Sequence, residues 1–354
     1  MNQKNRETFR ESLIQWYIRE KRDLPWRHTQ DPYKIWVSEI MLQQTRVDTV
    51  IPYYERFIKE FPTIEVLAAA DEEKLLKQWE GLGYYSRVRN LQAGVKEVYE
   101  KYNSIVPDTR KEISSLKGVG PYTAGAILSI AYQKPEHAVD GNVMRVLSRI
   151  LLIKEDIAKP KTKKIFEEAV SELIDSNDPS SFNQGLMELG ATICTPTSPK
   201  CLLCPVREHC SAFYAGEQNE LPIKTKNKKL KSLRYDVFVV QNDEGKFLLE
   251  KRPEIGLLAN LWQFPMVEYA DKETETTPIL QERYGIYFTK ENELGPLKHV
   301  FSHLTWEMNS ISGKAFEGAE IPKTCKWLTK EEVQNVPMPV SMLKIWQAFH
   351  ERGI

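Results

Sequence analysis

The sequence predicts a two-domain protein in which an all-α domain is followed by a smaller α+β domain. Its 354 residues exceed what one hydrophobic core usually serves. Apolar residues follow a helical period up to about residue 220 and a period of two after residue 234. Between these parts, residues 221–234 begin with Leu221-Pro222 and lack apolar periodicity. We therefore predict domains at 1–220 and 235–354, joined by a linker at 221–234.

The first domain contains a series of predicted helices. Asp71 is a good N-cap for a helix over Glu72–Trp79, which Gly81 and Gly83 then end. Pro121 suits the first turn of a later helix, because its missing N–H costs nothing there. The other predicted helices are Ser86–Tyr102, Thr109–Leu116, Pro121–Tyr132, Asn142–Ile153, Thr162–Ile174 and Pro179–Ile193.

The second domain shows strand and hairpin patterns. Tyr235–Gln241, a turn at 242–245, and Lys246–Arg252 together predict a β-hairpin. Further predicted strands are Leu261–Val267, Leu297–Ser310 and Lys326–Leu328, and the predicted helices are Thr277–Tyr284 and Ser341–Glu351. Strands and helices in this order predict an α+β fold.

The charges of the chain sum to zero but are unevenly distributed. The 49 Lys and Arg residues balance 49 Asp and Glu residues. The linker carries six basic residues and no acidic one, whereas residues 235–354 carry 13 basic and 18 acidic residues. Zero net charge therefore does not exclude a nucleic-acid partner. The six residues are Lys224, Lys226, Lys228, Lys229, Lys231 and Arg234, and they form either a solvated tether or a phosphate contact.

Four of the five cysteines lie within 17 residues, at Cys194, Cys201, Cys204 and Cys210. The first 12 residues are polar, and no apolar run approaches the roughly 20 residues that span a bilayer. Without a secretory signal, such a cluster indicates a metal site rather than disulfides. Four thiolates suit a zinc ion or an iron–sulfur cluster, although zinc modules usually pair two short Cys motifs. Cys325 lies far away, and we expect it to be a small buried apolar residue.

A glycine-rich turn connects two predicted helices at Leu116–Ala124. Gly118 and Gly120 let the backbone turn tightly and approach another molecule closely. The helix that follows begins with N–H groups and a positive dipole end, which suit a phosphate. A plain αα-hairpin shows the same pattern. Asp140 follows Gly120 by 20 residues, in Ala138-Val139-Asp140-Gly141-Asn142.

Glu39 is the acidic residue of an apolar helical stripe over 35–42, in which Ser38 is a potential break. Glu39 and Gln43 share one helix face, a turn apart. Desolvation by three apolar neighbours would raise the pKa of this carboxyl and let it donate a proton near neutral pH. The alternative is a glutamate that interacts with the dipole of a first helical turn.

Together these motifs resemble the helix–hairpin–helix DNA glycosylases, and more closely the adenine DNA glycosylase (MutY) family. Gly118–Ala124 with Asp140 resembles the Gly/Pro-Asp motif of the superfamily, and the cysteine spacing resembles the iron–sulfur loop of the endonuclease III family. Gly256–Pro265 is similar to a strand of the Nudix fold. The other matching motifs are Asp23-Leu24-Pro25-Trp26-Arg27, Ser38–Thr45, Gly81-Leu82-Gly83-Tyr84-Tyr85, Val139–Asn142 and Phe301-Ser302-His303.

The resemblance implies an all-α helix–hairpin–helix glycosylase domain and a Nudix-like domain that recognises 8-oxoguanine. The enzyme would remove adenine opposite 8-oxoguanine or guanine in double-stranded DNA during base-excision repair. Glu39 would protonate adenine N7, and Asp140 would stabilise the deoxyribose C1′ cation. Tyr122 and Asn142 would assist near the sugar and the attacking water. Because Tyr122 stands where bifunctional relatives have a lysine nucleophile, no β-elimination is expected.

The resemblance also assigns binding residues, which we list by role. The cysteines Cys194, Cys201, Cys204 and Cys210 would hold a [4Fe–4S] cluster in a loop over 194–210. The adenine pocket would be lined by Arg22, Trp26, Leu42 and Gln184. The residues that wedge into the duplex and contact 8-oxoguanine would be Gln43, Thr45, Leu82 and Tyr84, with Phe301, Ser302 and His303 identifying that base. The hairpin residues Gly118, Val119 and Gly120 would hold a DNA phosphate, and Ser114 and Val119 would offer oxygens to a cation. We expect a monomer in the bacterial cytoplasm, associated with the nucleoid and without membrane contact.

Three other functions remain open from the sequence. An endonuclease III-like glycosylase/lyase for oxidised pyrimidines is disfavoured by Tyr122 and by the second domain. A catalytically silent lesion sensor would lack Glu39 or Asp140. A nucleotide hydrolase would need more than Glu282 and Arg283 in the helix over 277–285, so we expect no pyrophosphatase activity.

Overall fold

The computed structural model describes residues 1–225, 231–271, 273–316 and 320–352. Their contacts group them into two compact units. One unit comprises the described parts of Met1–Ala69 and Asn90–Asn227, and the other those of Ala70–Arg89 and Lys228–Ile354. Residues 70–89, which the sequence places in the first domain, thus pack with the second. Three residues of the basic linker, Lys226, Lys228 and Lys229, lie outside the described residues.

The first unit is helical. Its helices are α1 (Gln3–Glu20), α2 (Pro32–Leu42), α3 (Val47–Glu60), α4 (Ile64–Ala69), α6 (Ser86–Lys101, shared with the second unit), α7 (Arg110–Ile113), α8 (Pro121–Ile130), α9 (Gly141–Ile150), α10 (Pro160–Leu173), α11 (Pro179–Thr192) and α12 (Ser211–Ala215). Helix α5 (Glu72–Gln78) belongs to the second unit. The predicted helices are therefore present, with ends shifted by a few residues.

Helix α1 was not predicted, because charged residues dominate the N-terminus. It nevertheless buries Phe9, Leu13, Trp16 and Tyr17, which lie on one helical face. This face packs on α11, where a Cβ at Gly185 would lie 3.2 Å from Leu13 Cγ. The absence of a side chain at Gly185 lets the two helices approach closely.

The second unit is built on a mixed sheet. Its described strands are β1 (Lys231–Gln241), β2 (Phe247–Lys251), β3 (Trp262–Gln263), β4 (Met266–Tyr269), β5 (Tyr287–Val300), β6 (Leu304–Phe316) and β7 (Cys325–Leu328). The order is β3-β2-β1-β6-β5, with β4 paired to β1 and β7 paired to β2. Strands β1 and β6 run parallel, and the other pairs are antiparallel. Helices α13 (Thr276–Tyr284), α14 (Lys330–Asn335) and α15 (Val340–Glu351) accompany the sheet.

Two predicted strands are wrong in detail. Leu261–Val267 is divided into β3 and β4 because Pro265 has no N–H for the ladder. Leu297–Ser310 is divided into β5 and β6, and residues 301–303 form the connecting hairpin. The Phe301 N–H donates to the Leu304 carbonyl at 2.8 Å and closes this turn.

Apolar clusters lie within each unit. One includes Phe9 and Phe182 of the helical unit, and another includes Trp262, Trp306 and Trp346 of the sheet unit. Cys325 is buried in a further apolar cluster of the sheet unit, as a small apolar residue would be. Among the residues that the structure describes, no helix combines the length and apolar character needed to cross a membrane.

Candidate active site

A single cavity of the helical unit collects most of the predicted catalytic and pocket residues. It has a volume of about 780 Å³, which falls in the range of small-molecule sites, roughly 300–1,000 Å³. Its lining includes Arg22, Trp26, Glu39, Leu42, Gln43, Thr45, Gly118, Gly120, Tyr122, Asp140, Asn142 and Gln184. These residues come from α2, α8, α9, α11 and the loops beside them, so the cavity exists only in the folded helical unit.

Glu39 lies in the last turn of α2 and is only 5 % exposed. It cannot be a first-turn dipole partner, because α2 begins at Pro32. The Tyr122 hydroxyl donates to Glu39 Oε2 at 2.6 Å. Burial raises the pKa of Glu39 to about 7, with a further contribution from Asp140, while the Tyr122 hydrogen bond and Arg27 oppose the increase. Near neutral pH this carboxyl is therefore able to donate a proton.

Ser38 does not break α2. Its hydroxyl donates to the Ile35 carbonyl at 2.8 Å within the helix, and the side chain is buried. The Asp31 carboxylate caps the helix by accepting from the Tyr33 N–H at 2.9 Å. The uninterrupted helix carries Glu39 and Leu42 to the cavity wall.

Asp140 is the N-cap of α9 and is partly buried. Its carboxylate accepts from the Val143 N–H at 2.7 Å and from Asn142 Nδ2 at 2.8 Å. Burial raises the pKa of Asp140 even though both hydrogen bonds favour the ionised form. Arg145 donates to Asn142 Oδ1 at 2.8 Å and to the Cys194 carbonyl at 2.8 Å, which orients Asn142. The carboxyl groups of Glu39 and Asp140 thus lie in different surroundings within one cavity.

The glycine-rich turn connects α7 and α8. Gly118 has φ +78° and lies so close to Asn90 that a Cβ would be 2.8 Å from Asn90 Cβ. Gly120 caps α8 without a side-chain hydrogen bond, so the first N–H groups of this helix remain for a ligand. Val119 is buried, and Ser114 is an exposed residue that ends α7.

Glu188 of α11 also lines the cavity, and the sequence analysis missed it. Its buried carboxylate accepts from Arg22 Nε at 2.7 Å and from Arg27 Nη2 at 2.7 Å. Burial alone would raise the pKa of Glu188, but the two arginines outweigh it and bring the pKa to about 2. The sequence feature that could have identified Glu188 is its position one helical turn after Gln184, on the same helix face.

The predicted wedge and 8-oxoguanine residues lie in different surroundings. Gln43 and Thr45 line the cavity of the helical unit. Leu82 and Tyr84 belong to the second unit, where Tyr84 is 45 % exposed but Leu82 is buried. Of this pair, only Tyr84 therefore has an exposed side chain.

Phe301, Ser302 and His303 form the β5–β6 hairpin of the second unit. Ser302 and His303 are exposed, and Ser302 Oγ lies 3.3 Å from His303 Nδ1. Phe301 packs edge-on against Trp306, with ring centroids 4.9 Å apart. The aromatic contact anchors the hairpin and leaves the two polar side chains accessible.

The four clustered cysteines line one cavity of the helical unit together with Arg149. Arg149 is buried and donates to Cys194 Sγ at 3.2 Å and to the Thr195 carbonyl at 2.8 Å. Among the described residues, no three His, Cys, Asp or Glu side chains are close enough together to hold one metal ion. Four thiols that line one cavity are a donor set that suits an iron–sulfur cluster or a zinc ion.

The chain matches two families of known proteins. Residues 37–172 match the HhH-GPD superfamily of base excision DNA repair proteins, and residues 236–348 match the NUDIX domain. These matches confirm the predicted fold, a helical helix–hairpin–helix domain followed by a Nudix-like domain.

Similar proteins named adenine DNA glycosylase occur in animals and bacteria. The protein of Mus musculus is 36% identical over 405 residues, which cover 98% of this chain and 79% of the relative. The protein of Buchnera aphidicola subsp. Schizaphis graminum is 33% identical over 347 residues, which cover 96% of this chain and 98% of the relative. A solved thermostable thymine-DNA glycosylase superposes with a TM-score of 0.54 at 30% identity, covering 60% of this chain and 98% of its own. An endonuclease III trapped in a covalent DNA complex superposes with a TM-score of 0.51 at 22% identity, covering 62% of this chain and 98% of its own, and shows the same fold.

Proposed function

The chain belongs to the adenine DNA glycosylase family, and we propose that it hydrolyses the N-glycosidic bond of adenine mispaired with 8-oxoguanine or guanine. The family and its helix–hairpin–helix domain make it an N-glycosyl hydrolase of base-excision repair. The observation that carries the finer proposal is the pairing of Glu39 with Tyr122 beside Asp140 in one cavity. Two carboxyl groups with different environments are what glycoside hydrolysis requires.

In the proposed reaction, adenine enters the cavity after its nucleotide leaves the base stack. Protonated Glu39 donates to adenine N7 and turns the base into a leaving group. The bond between C1′ and N9 breaks with its electron pair on adenine, and ionised Asp140 stabilises the positive charge at C1′. A water oxygen then bonds to C1′, and the water proton returns to the carboxylate of Glu39. Asn142 and Tyr122 would orient the groups around the sugar.

The proposed reaction stops at base removal. Tyr122 occupies the position at which a lysine would form a Schiff base. Lys163 of α10 also lines the cavity, and its Nζ lies 3.7 Å from Glu167 Oε1. A Lys163→Ala variant tests this point, because any strand cleavage that depends on Lys163 would contradict a monofunctional enzyme.

The cysteine loop would hold a [4Fe–4S] cluster through Cys194, Cys201, Cys204 and Cys210. When bound, the cluster would cross-link four positions of the loop covalently and supply a redox-active group. Arg149 would support it by donating to Cys194 Sγ. Iron and sulfide analysis with a visible absorbance band tests the assignment, and stoichiometric zinc would contradict it.

DNA contacts would come from both units. The hairpin backbone at Gly118, Val119 and Gly120 would bind a phosphate, and the oxygens of Ser114 and Val119 would bind a cation at the same turn. Arg22, Trp26, Leu42 and Gln184 would surround adenine. Gln43, Thr45, Leu82 and Tyr84 would enter the duplex, with Leu82 having to leave its buried position. Ser302 would bond to N7–H of 8-oxoguanine, with Phe301 and His303 beside it. The enzyme would act as a monomer at the bacterial nucleoid.

One assay tests the proposed function directly. A duplex with adenine opposite 8-oxoguanine is incubated with the protein and analysed on a denaturing gel with and without alkali, beside a thymine-glycol duplex. We expect cleavage of the adenine strand only after alkali, and no cleavage of the thymine-glycol strand. Cleavage without alkali or of the thymine-glycol duplex would instead support a glycosylase/lyase.

A second assay tests the recognition hairpin. We expect the double variant Ser302→Ala/His303→Ala to narrow the preference for 8-oxoguanine over guanine while retaining adenine release. An unchanged preference would exclude this hairpin from lesion recognition.

A further inference from the structure

The loop of residues 81–84, here named the wedge loop, belongs to the same compact unit as the recognition hairpin 301–303. Its backbone is unusual, with φ of +103° at Gly81, +71° at Gly83 and +47° at Tyr84. A tyrosine rarely adopts this left-handed conformation, which is strained and persists only where the surroundings enforce it. The structure must therefore contain contacts that hold the wedge loop in place.

Some of these contacts come from the flanking residues. Arg87 Nη2 donates to the Leu82 carbonyl at 3.1 Å and to the Gly83 carbonyl at 3.0 Å. Trp79 Nε1 also donates to the Gly83 carbonyl, at 3.2 Å. The Arg87 guanidinium lies 5.7 Å from the centre of the Tyr84 ring. These bonds shape the wedge loop but do not connect it to the rest of the unit.

That connection is made on both sides of the wedge loop by the backbone of one distant residue. Glu80 Oε1 accepts from the Met338 N–H at 2.8 Å. The Tyr85 hydroxyl donates to the Met338 carbonyl at 3.2 Å, and the tyrosine is 4 % exposed. Lys77 adds a bond from Nζ to the Val336 carbonyl at 3.2 Å and pairs with Glu80 at 2.7 Å.

The start of α5 is attached to the same unit by two carboxylates. Glu72 accepts from Asn260 Nδ2 at 2.9 Å. Glu73 accepts from Trp262 Nε1 at 3.0 Å and from Lys251 Nζ at 2.6 Å. The segment that carries the wedge loop is thus held along its length.

Met338 also belongs to the core that supports the recognition hairpin. Met338, Trp262 and Trp306 are members of one buried apolar cluster, and Phe301 packs against it. Close-packed interiors transmit displacements because they contain little free volume. Phe301 thus packs on the same cluster that contains Met338, and the Met338 backbone binds Glu80 and Tyr85.

We propose that Glu80 and Tyr85 are positioning residues that fix the wedge loop to the core of the recognition hairpin through Met338. The inference rests on the proposed function, in which Tyr84 enters the duplex and Ser302 contacts 8-oxoguanine. With the two loops on one rigid body, contact of the hairpin with 8-oxoguanine places the wedge loop at the mispair. The preference for 8-oxoguanine over guanine opposite adenine then depends on Glu80 and Tyr85. These side chains act by positioning the wedge loop and not by contact with the reacting atoms.

The test uses the full-length protein and three variants. Tyr85→Phe removes the hydroxyl, and Glu80→Ala removes the acceptor for the Met338 N–H. Glu80→Gln retains an oxygen that can accept from Met338 and serves as the conservative rescue. Single-turnover rates of adenine release are measured opposite 8-oxoguanine and opposite guanine. Hydrogen exchange of residues 81–85 is measured in the free protein.

We expect Tyr85→Phe and Glu80→Ala each to reduce the ratio of the rate opposite 8-oxoguanine to the rate opposite guanine about fivefold. This factor corresponds to the loss of one hydrogen bond of ordinary strength. The rate opposite guanine should be unchanged, Glu80→Gln should resemble the unmodified protein, and exchange over 81–85 should accelerate in the first two variants only. Unchanged ratios, or unchanged exchange, would overturn the proposal.

A matched control separates positioning from general loss of stability. Tyr33 is also buried and donates from its hydroxyl to a backbone carbonyl, that of Phe61 at 2.7 Å, but it lies in the helical unit. An equal loss of preference in Tyr33→Phe would overturn the positioning role. If the unmodified protein releases no adenine from either duplex, the proposed function fails, and hydrogen exchange still decides whether Met338 holds the wedge loop.

Discussion

Replacing Tyr122 with phenylalanine tests the assignment of Glu39 as the acid. The Tyr122 hydroxyl donates to Glu39 Oε2 at 2.6 Å and so favours the ionised carboxylate. Burial acts in the opposite direction and raises the pKa of Glu39 to about 7. Without the hydroxyl, the carboxyl should remain protonated to higher pH. In Tyr122→Phe, Glu39 should therefore stay protonated at alkaline pH values at which Glu39 of the unmodified enzyme is ionised.

The size of this effect follows from the strength of the bond. A hydrogen bond to a charged group contributes about 1.5–3 kcal/mol, and about 1.4 kcal/mol corresponds to one pKa unit. The cavity is large enough for water to replace part of the lost interaction, which favours the lower end of the range. We expect the alkaline limb of the pH–rate profile, where the rate of adenine release declines, to move to higher pH by about one pH unit.

The measurement is the single-turnover rate of adenine release as a function of pH, with adenine opposite 8-oxoguanine. The absolute rate of Tyr122→Phe should fall if Tyr122 assists near the sugar as proposed, so only the pH at which the rate declines on the alkaline side is compared. Tyr33→Phe, which removes a buried hydroxyl outside the cavity, should leave the limb where it is. A limb that stays in place or moves to lower pH in Tyr122→Phe would refute the role of Glu39 as acid.

Three further substitutions test other parts of the site. Glu39→Gln should abolish adenine release and preserve duplex binding, and full activity would contradict the acid assignment. Because the pKa of Glu39 rises from 4.5 to about 7 on folding, its ionisation costs the folded state about 3 kcal/mol above neutral pH and nothing well below pH 4.5. Urea denaturation should therefore show Glu39→Gln to be more stable than the unmodified protein at alkaline pH only. Glu188→Gln should lower the free energy of unfolding by about 3–5 kcal/mol, since Arg22 and Arg27 lose a buried partner, and a loss below about 1 kcal/mol would contradict the strength assigned to this pair. Cys204→Ser should reduce bound iron and the visible absorbance, whereas undiminished iron would remove Cys204 from the ligand set.

Local features of the fold were predictable because they depend on neighbouring residues. Asp71 caps α5 by accepting from the Glu73 N–H at 2.9 Å, as its position before a helical stripe indicated. Gly118 adopts positive φ in the hairpin turn, which its place between two helices indicated. The division of Leu297–Ser310 into two strands was not predictable from turn residues, because residues 301–303 contain no Gly, Pro, Asn or Asp where the chain reverses.

The sequence by itself determined the two-domain order, the hairpin, the cysteine loop and the presence of both carboxyl groups at recognisable positions. Only the tertiary structure decided what surrounds them. Tyr122 and Glu39 are 83 residues apart, and Glu188 meets Arg22 across 166 residues. The pKa of a buried carboxyl depends on these distant partners and on burial, neither of which local periodicity records. For the same reason, local periodicity does not record that residues 70–89 attach to the second unit, where Glu80 and Tyr85 bind the backbone of Met338.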